Sequence, residues 1–124
     1  MLDHVGFDVK DLAKSKAFYT AVLAPLGYKL IADLQEWQAA GFGDDRPKFW
    51  LGQGAPTHGK DEVHLCFAAK TRAEVDAFYT AAIKAGGTDN GAPGLRPVYH
   101  KDYYGAFVLD LDGHGIEACC HKSE

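Results

Sequence analysis

The pentapeptide AFYTA occurs twice in this chain of 124 residues, at Ala17–Ala21 and again at Ala77–Ala81. The same shift of 60 positions carries two histidines and two glycines onto each other: His4 onto His64, and Gly27 onto Gly87. A histidine, a helical segment and a helix-ending glycine that share one spacing indicate a duplicated module of about half the chain. We therefore expect a fold built from two copies of one supersecondary unit.

Each half has the pattern of a strand, a helix and further strands. Apolar residues alternate with polar or small ones around Phe7 and again around Phe67, which is the two-residue period of a half-buried strand. Asp11 and Thr71 are candidate N-caps of the helices that follow. Short strand-like runs complete the halves, at 28–34, 36–41 and 48–52, and at 97–100, 106–111 and 115–120.

These patterns predict an α+β fold of two paired βαβββ modules that form a curved mixed sheet around a shared cavity. We place one module at about residues 1–52 and the other at about 61–121, joined by the Gly/Pro-containing linker 52–61, in a single domain of residues 1–124. A chain of this length can bury a core without disulfides.

Charge and composition exclude several classes of protein. The net charge is −4 and the basic residues are scattered, which disfavours nucleic-acid binding. The longest apolar runs are a few residues, so we expect no membrane span, and the N-terminus lacks the pattern of a signal peptide. Three cysteines, an odd number, fit reduced thiols, and we expect a cytoplasmic protein.

Three residues of the predicted strands carry a possible metal site. His4 and His64 alternate with the apolar residues that the helices must cover, and Glu117 does the same in the last strand. Two imidazoles and a carboxylate on one face form a 2-His-1-carboxylate set. A single strand histidine is more often a satisfied core residue, but an unpaired buried carboxylate is costly, and three such residues on one face favour a site.

At these positions the chain also resembles a known family. The segments DHVGFDVKDL, VHLCFAA and above all LDLDGHGIEA are similar to the vicinal oxygen chelate superfamily, which includes glyoxalase I, extradiol dioxygenases, fosfomycin-resistance thiol transferases and bleomycin-resistance proteins. The resemblance covers essentially the whole chain. It implies a divalent metal held by His4, His64 and Glu117, which chelates two neighbouring oxygens of a substrate while Glu117 also carries a proton.

Two parts of the chain depart from members of that family. Glyoxalase I carries a fourth ligand where this chain has Trp50, and an indole cannot bind a hard cation. Trp50 is expected either to line the substrate pocket or to pack in the core. Extradiol dioxygenases carry a tyrosine at Phe107 and a proline at Leu111, so the resemblance to that group is partial.

Other polar residues are candidates for substrate binding. Tyr103, Tyr104 and His100 lie in the aromatic run YHKDYYG, with His100 a possible proton carrier, or they form a turn that packs on its own loop. Arg96 is a candidate partner for an acidic substrate group, although an exposed loop arginine usually has no such role. Cys66 shares the face of His64, but a cysteine in a strand is more often a small apolar filler. We expect His114 and His121 to be exposed.

The combined prediction is a small metal-dependent enzyme, glyoxalase-like or dioxygenase-like, that acts on a small molecule as a homodimer. It would use one divalent ion per site (Fe, Mn, Zn, Ni or Co), with Glu117 as the catalytic residue and the metal as a Lewis acid. The alternative is a metal-free protein that sequesters a ligand, as bleomycin-resistance proteins do. In that case His4, His64 and Glu117 would form a hydrogen-bonded cluster.

Overall fold

The structure, a computed structural model, describes residues 1–56 and 58–124, so Thr57 of the predicted linker lies outside the described residues. The first module contains β1 (Val5–Val9), α1 (Leu12–Leu23), β2 (Lys29–Leu34), β3 (Ala39–Gly43) and β4 (Phe49–Gln53). The second contains β5 (His64–Ala68), α2 (Arg72–Lys84), β6 (Thr88–Leu95), β7 (Tyr104–Leu109) and β8 (Gly115–Cys120). The predicted α+β class and the paired βαβββ modules are confirmed.

The two modules have the same strand topology. The strands are ordered β1-β4-β3-β2 in the first sheet and β5-β8-β7-β6 in the second. In each sheet the first and last strands along the chain are neighbours and run parallel, β1 with β4 and β5 with β8. The other neighbouring pairs are antiparallel. Gly6 is paired with Trp50 in the first sheet, and Cys66 is paired with Glu117 in the second. Because Gly6 and Cys66 are related by the repeat, Trp50 and Glu117 occupy equivalent positions.

Both helices begin at the predicted caps. The side chain of Asp11 accepts a hydrogen bond from the Lys14 N–H, and that of Thr71 accepts one from the Glu74 N–H. Glu74 in turn accepts the Lys70 N–H at 2.6 Å, one residue before the position expected for a capping box. The caps satisfy backbone donors that the first helical turn leaves free.

The repeated pentapeptide forms the packing face of each helix. Phe18 and Phe78 are both buried, and both belong to the apolar core. The two tyrosines differ, because Tyr19 is fully buried while Tyr79 is partly exposed. The helices also contact each other, so one apolar core spans both modules.

Two strand predictions were wrong. The run 97–100 is a turn, and β6 instead occupies the Gly/Pro-containing stretch Thr88–Leu95. This strand lies at the edge of its sheet and pairs with β7 through register shifts, which is where a strand tolerates glycine and proline. Residues 35–37 form a 3₁₀ turn, and β3 begins only at Ala39.

A buried polar network joins the modules. Tyr19 of α1 donates its hydroxyl hydrogen to Asp110, and His114 contacts the same carboxylate oxygen through Nδ1 at 2.7 Å. The His114 ring also stacks on Phe7 of β1 at a centroid distance of 3.7 Å. The prediction that His114 is exposed was therefore wrong, since its exposed fraction is 0%.

Hydrogen bonding in this network changes the acidity of Asp110. Burial raises the pKa of Asp110, but the hydrogen bonds from His114 and Tyr19 outweigh burial and leave this pKa below its ordinary value. A depressed folded-state pKa means that the ionised carboxylate stabilises the fold above the unfolded-state pKa, near 3.9. That contribution is lost as the pH falls through the lower folded-state value.

None of the helices in the described part of the chain is long and apolar enough to cross a membrane.

Removal of the Tyr19 hydroxyl tests the buried polar network of Tyr19, Asp110 and His114. We expect Tyr19→Phe to lower the free energy of unfolding by about 1–3 kcal/mol at neutral pH, because the buried Asp110 carboxylate loses a donor. Tyr79→Phe is the matched control from the second copy of the pentapeptide: it removes a bond to Asp89 at a partly exposed site, and we expect a change within about 0.5 kcal/mol.

The measurement is chemical denaturation of both variants between neutral pH and acid. The Tyr19→Phe deficit should shrink as the pH falls below the unfolded-state pKa, near 3.9, and through the lower folded-state pKa of Asp110. Equal effects of the two substitutions would contradict the assignment of Tyr19 and Asp110 as a bridge between the modules.

Candidate metal centre

The polar face of the second module is produced by two-residue alternation in β5 and β8. Phe67, Ile116 and Ala118 point into the core beneath α2. The residues between them point the other way and define what we call the polar face: His64, Cys66, Glu117 and Cys119. Because β5 and β8 are adjacent and parallel, these four side chains come from directly neighbouring strands.

Glu117 is the centre of this polar face. Its side chain is only 3% exposed, yet both carboxylate oxygens have partners. His64 Nε2 lies 2.9 Å from Oε2, and the Tyr103 hydroxyl donates to Oε1. Burial, followed by this hydrogen bond to Glu117, raises the pKa of Tyr103 and keeps its hydroxyl protonated. These two hydrogen-bond partners offset the cost of burying the carboxylate.

Gly105 provides the space that this arrangement needs. A side chain at this position of β7 would begin 3.1 Å from both the Glu117 carboxylate and the Tyr103 ring. That distance is tighter than most such contacts, so a larger residue at 105 would shift one of the two groups by a few tenths of an ångström.

Two thiols lie beside the same carboxylate. The sulfurs of Cys66 and Cys119 and one carboxylate oxygen of Glu117 all lie within 4.8 Å of one another. The neighbouring Cys66 thiol lowers the pKa of Cys119, burial opposes this effect, and the nearby Tyr103 hydroxyl adds to it, for a final value of about 6. The interaction between the two thiols raises the pKa of Cys66, so Cys119 ionises first.

The remaining residues predicted for the second module lie at different distances from Glu117. His100 reaches it only indirectly, since its Nε2 contacts His121 Nδ1 at 2.7 Å and His121 Nε2 lies 3.6 Å from the Cys119 sulfur. Tyr104 points to the opposite side of the sheet, where its hydroxyl donates to Asp76 of α2.

Arg96 lies at the edge of the polar face. Its guanidinium is positioned over the ring of Phe107, 5.3 Å from the centroid, and it donates to the Ala92 carbonyl at 2.7 Å. Phe107 is paired with Glu117 across the sheet and stacks near His64. Within the described residues, no carboxylate lies within ion-pair distance of Arg96.

The equivalent face of the first module carries Trp50. Phe49 and Leu51 point into the core and Trp50 points away from it, half-buried, across Gly6 and Gly41. A Cβ atom added at either glycine would come within 3 Å of the tryptophan side chain. Trp50 therefore covers the centre of its sheet in the position that Glu117 occupies in the other sheet.

His4 does not join His64 and Glu117 within one chain. It precedes β1, its side chain is 61% exposed, and its Nδ1 contacts Asp3 at 2.8 Å. In the parts of the chain that the structure describes, His4 belongs to no group of three donor atoms close enough to hold one ion. Of the three predicted ligands, the chain thus brings together two.

Asp110, Asp112 and His114 form a second group of closely spaced donors. The carboxylates of this group already accept hydrogen bonds: Asp110 from Tyr19 and His114, and Asp112, more weakly, from the Lys10 N–H at 3.3 Å. We interpret this group as part of the junction between the modules.

Sequence reasoning missed the position of the two thiols beside Glu117. Cys66 was interpreted mainly as an apolar filler and Cys119 as an ordinary reduced thiol, yet Cys66 is exposed on the polar face. The available signal was spacing, because Cys66 and Cys119 each follow a predicted ligand by two residues. The hydroxyl of Tyr103, a predicted substrate contact, donates a hydrogen bond to Glu117.

Comparisons with known proteins agree with this architecture. The family model described as the Glyoxalase/Bleomycin resistance protein/Dioxygenase superfamily matches residues 1–118. The chain belongs to this superfamily. A solved glyoxalase/bleomycin resistance protein from Albidiferax ferrireducens T118 is 32% identical, with a TM-score of 0.83, and the match covers 96% of this chain and 98% of that one. No functionally curated protein matches.

Two fosfomycin-resistance proteins share the fold at lower identity. FosX from Mesorhizobium loti is 18% identical with a TM-score of 0.72, over 98% of this chain and 92% of that one. A FosX variant from Listeria monocytogenes, solved with Mn(II) and 1S,2S-dihydroxypropylphosphonic acid, is 19% identical with a TM-score of 0.72, over 95% and 87%. At these identities the likeness concerns the fold alone.

Replacement of Trp50 by glutamate tests the equivalence of the two faces. We expect Trp50→Glu to fold, because the side chain points away from the core, with a loss of about 1–2 kcal/mol from the half-buried indole. Its carboxylate would lie beside His4 as Glu117 lies beside His64, and we expect tighter binding of divalent metal. Trp50→Gln, which loses the same indole without adding charge, is the control.

Denaturation curves and metal dissociation constants of the two variants give the answer. A folded Trp50→Glu protein with the metal affinity of Trp50→Gln would contradict the proposed fourth ligand position. An unfolded Trp50→Glu protein beside a folded Trp50→Gln protein would show that Trp50 lies in a core environment.

Proposed function

We propose that the protein is a metal-dependent enzyme of the glyoxalase/dioxygenase-like type, acting on a small molecule that binds the metal through neighbouring oxygens. The observation that carries the proposal is the contact between His64 Nε2 and the buried Glu117 carboxylate at 2.9 Å. The carboxylate is almost inaccessible, whereas the His64 side chain is 56% exposed, so the pair opens toward solvent on one side.

The residues present fit a divalent ion. A buried carboxylate and an exposed imidazole are oxygen and nitrogen donors suited to Mn, Fe, Co, Ni or Zn, and a bound cation would compensate the buried charge. His64 and Glu117 would hold the ion, with His4 as the third ligand. When bound, the metal would supply Lewis-acid polarisation of a substrate oxygen.

The remaining residues have roles around Glu117. The carboxylate would accept and return a substrate proton, and Tyr103, whose raised pKa keeps its hydroxyl protonated, would orient it through Oε1. Arg96 offers a positive charge to an acidic substrate group, and Trp50 a flat apolar wall. His100 would relay protons through His121, and Tyr104, held by Asp76, would act only at the rim.

We propose that the active assembly is a cytoplasmic homodimer. Each chain presents two open sheet faces. One carries His4 and Trp50, and the other is the polar face with His64 and Glu117. A second copy would place His4 of the partner subunit over His64 and Glu117 and so complete the three-ligand set. The three free cysteines accord with a reducing compartment.

A metal-free binding protein is the alternative function. Trp50 favours it, because a half-buried indole occupies the position equivalent to Glu117 and could stack on a flat ligand. Metal content distinguishes the two functions.

Metal uptake by single variants tests the enzyme proposal. We expect about one divalent ion per chain in the reconstituted protein. His64→Ala should lower the metal affinity by at least roughly 10–100-fold, which is the loss caused by removing an outer-shell partner of a ligand. His58→Ala is the control, since its ring packs against His114 instead of Glu117. Negligible metal in both wild type and His64→Ala would leave the binding-protein function.

Complementation between chains tests the shared site. His4→Ala and Glu117→Gln each break every site of their own homodimers. A heterodimer of one His4→Ala chain and one Glu117→Gln chain can be purified through two different tags. Both substitutions would fall in one of its two shared sites, so the other site would stay intact and the heterodimer should bind about half of the wild-type metal. If the heterodimer binds no more metal than its parents, or if the wild type is monomeric, the shared site is wrong.

A further inference from the structure

The polar face holds more donor atoms than the proposed imidazole–carboxylate set uses. Cys66 and Cys119 lie beside Glu117, and their sulfurs and a carboxylate oxygen of Glu117 form a triangle with no side longer than 4.8 Å. His64 is not a member of this group, although its Nε2 is 2.9 Å from Oε2 of the same carboxylate. The carboxylate therefore has an imidazole and a pair of thiols as neighbours.

Packing does not account for the position of Cys66. Cys66 is exposed and lies on the face away from α2, where an apolar filler contributes little. Cys120 provides the contrast within the same strand as Cys119, because it is fully buried and packs in the core. Two of the three cysteines thus point to the carboxylate and one points to the core.

The spacing of the three donors is close to that of a metal site. Zinc bound to sulfur at about 2.3 Å and to oxygen at about 2.1 Å holds its tetrahedral ligands about 3.6 Å apart. Donor atoms that already lie within 4.8 Å of one another need shifts of about an ångström, which side-chain rotation supplies. The exposed His121 lies 3.6 Å from the Cys119 sulfur and is available as a fourth donor.

We propose that Cys66, Cys119 and Glu117 form a sulfur-containing site for a thiophilic divalent ion of the zinc class. Thiolate ligands favour Zn, Cd and Co over the harder Mn and Mg, whereas the His64 side of Glu117 carries no sulfur. Since both positions use the same carboxylate, a thiophilic ion on the sulfur side competes with a hard ion on the imidazole side. The proposal shares Glu117 with the proposed function, but its test has a separate readout.

Cobalt(II) titration of the reduced protein distinguishes the two positions. We expect near-ultraviolet thiolate-to-cobalt charge-transfer absorption in the wild type, and loss of most of it in Cys66→Ser and in Cys119→Ser. Cys120→Ser is the matched control, and it should keep the absorption, as should His64→Ala. Cobalt binding without charge-transfer absorption would overturn the sulfur site while leaving the proposed metalloenzyme intact.

A measurement on the wild type covers the case in which a cysteine variant fails to fold. With Zn²⁺ at ten times its dissociation constant, alkylation of Cys66 should slow by roughly tenfold, as followed by mass spectrometry. Mn²⁺ at the same concentration should not protect Cys66. Equal alkylation rates with and without Zn²⁺ would overturn the proposal, and equal protection by Mn²⁺ would show that sulfur does not select the ion.

Discussion

Burial of one face of each sheet beneath a single helix determines where the candidate functional side chains lie. Each sheet has four strands and one helix, so the alternating apolar residues must face that helix and the residues between them must face the other way. His64 and Glu117 are polar residues in otherwise apolar strands, and this constraint brings them to one face. A register slip of one residue in β8 would place the carboxylate under α2 without a partner.

The energetics of the Glu117 carboxylate connect fold and chemistry. The oxygens of a side chain that is only 3% exposed need hydrogen-bond partners, and here the partners are His64 and Tyr103. Those contacts hold the carboxylate in place before any cation arrives, which lowers the ordering cost of binding. They also compete with the cation, since a lone pair used by an imidazole N–H is unavailable to a metal. His64 must therefore exchange a hydrogen bond for a metal bond, and its exposure allows this.

Local sequence patterns predict much of this arrangement, but not the contacts between the modules. The repeat and the two-residue alternation predict the paired modules and the common face of His64 and Glu117, because both depend on neighbours along the chain. The burial of His114 does not follow from its sequence context, a Gly-containing turn, because Phe7 of the other module stacks on it and Tyr19 of that module shares its partner Asp110. Strand β6 was missed for a related reason: pairing with β7 overrides a composition typical of loops.

The two copies of the module have diverged in the same way at the helix and at the sheet. Tyr19 and Tyr79 each donate to an aspartate, but only Tyr19 is buried, where it links the modules through Asp110. Glu117 and Trp50 occupy equivalent strand positions, but only Glu117 can bind a cation. One module thus supplies a carboxylate with nitrogen and sulfur donors around it, and the other supplies an apolar wall and a single histidine. A site that uses both requires the two kinds of face to meet, and a second copy of the chain can bring them together without any change within either module.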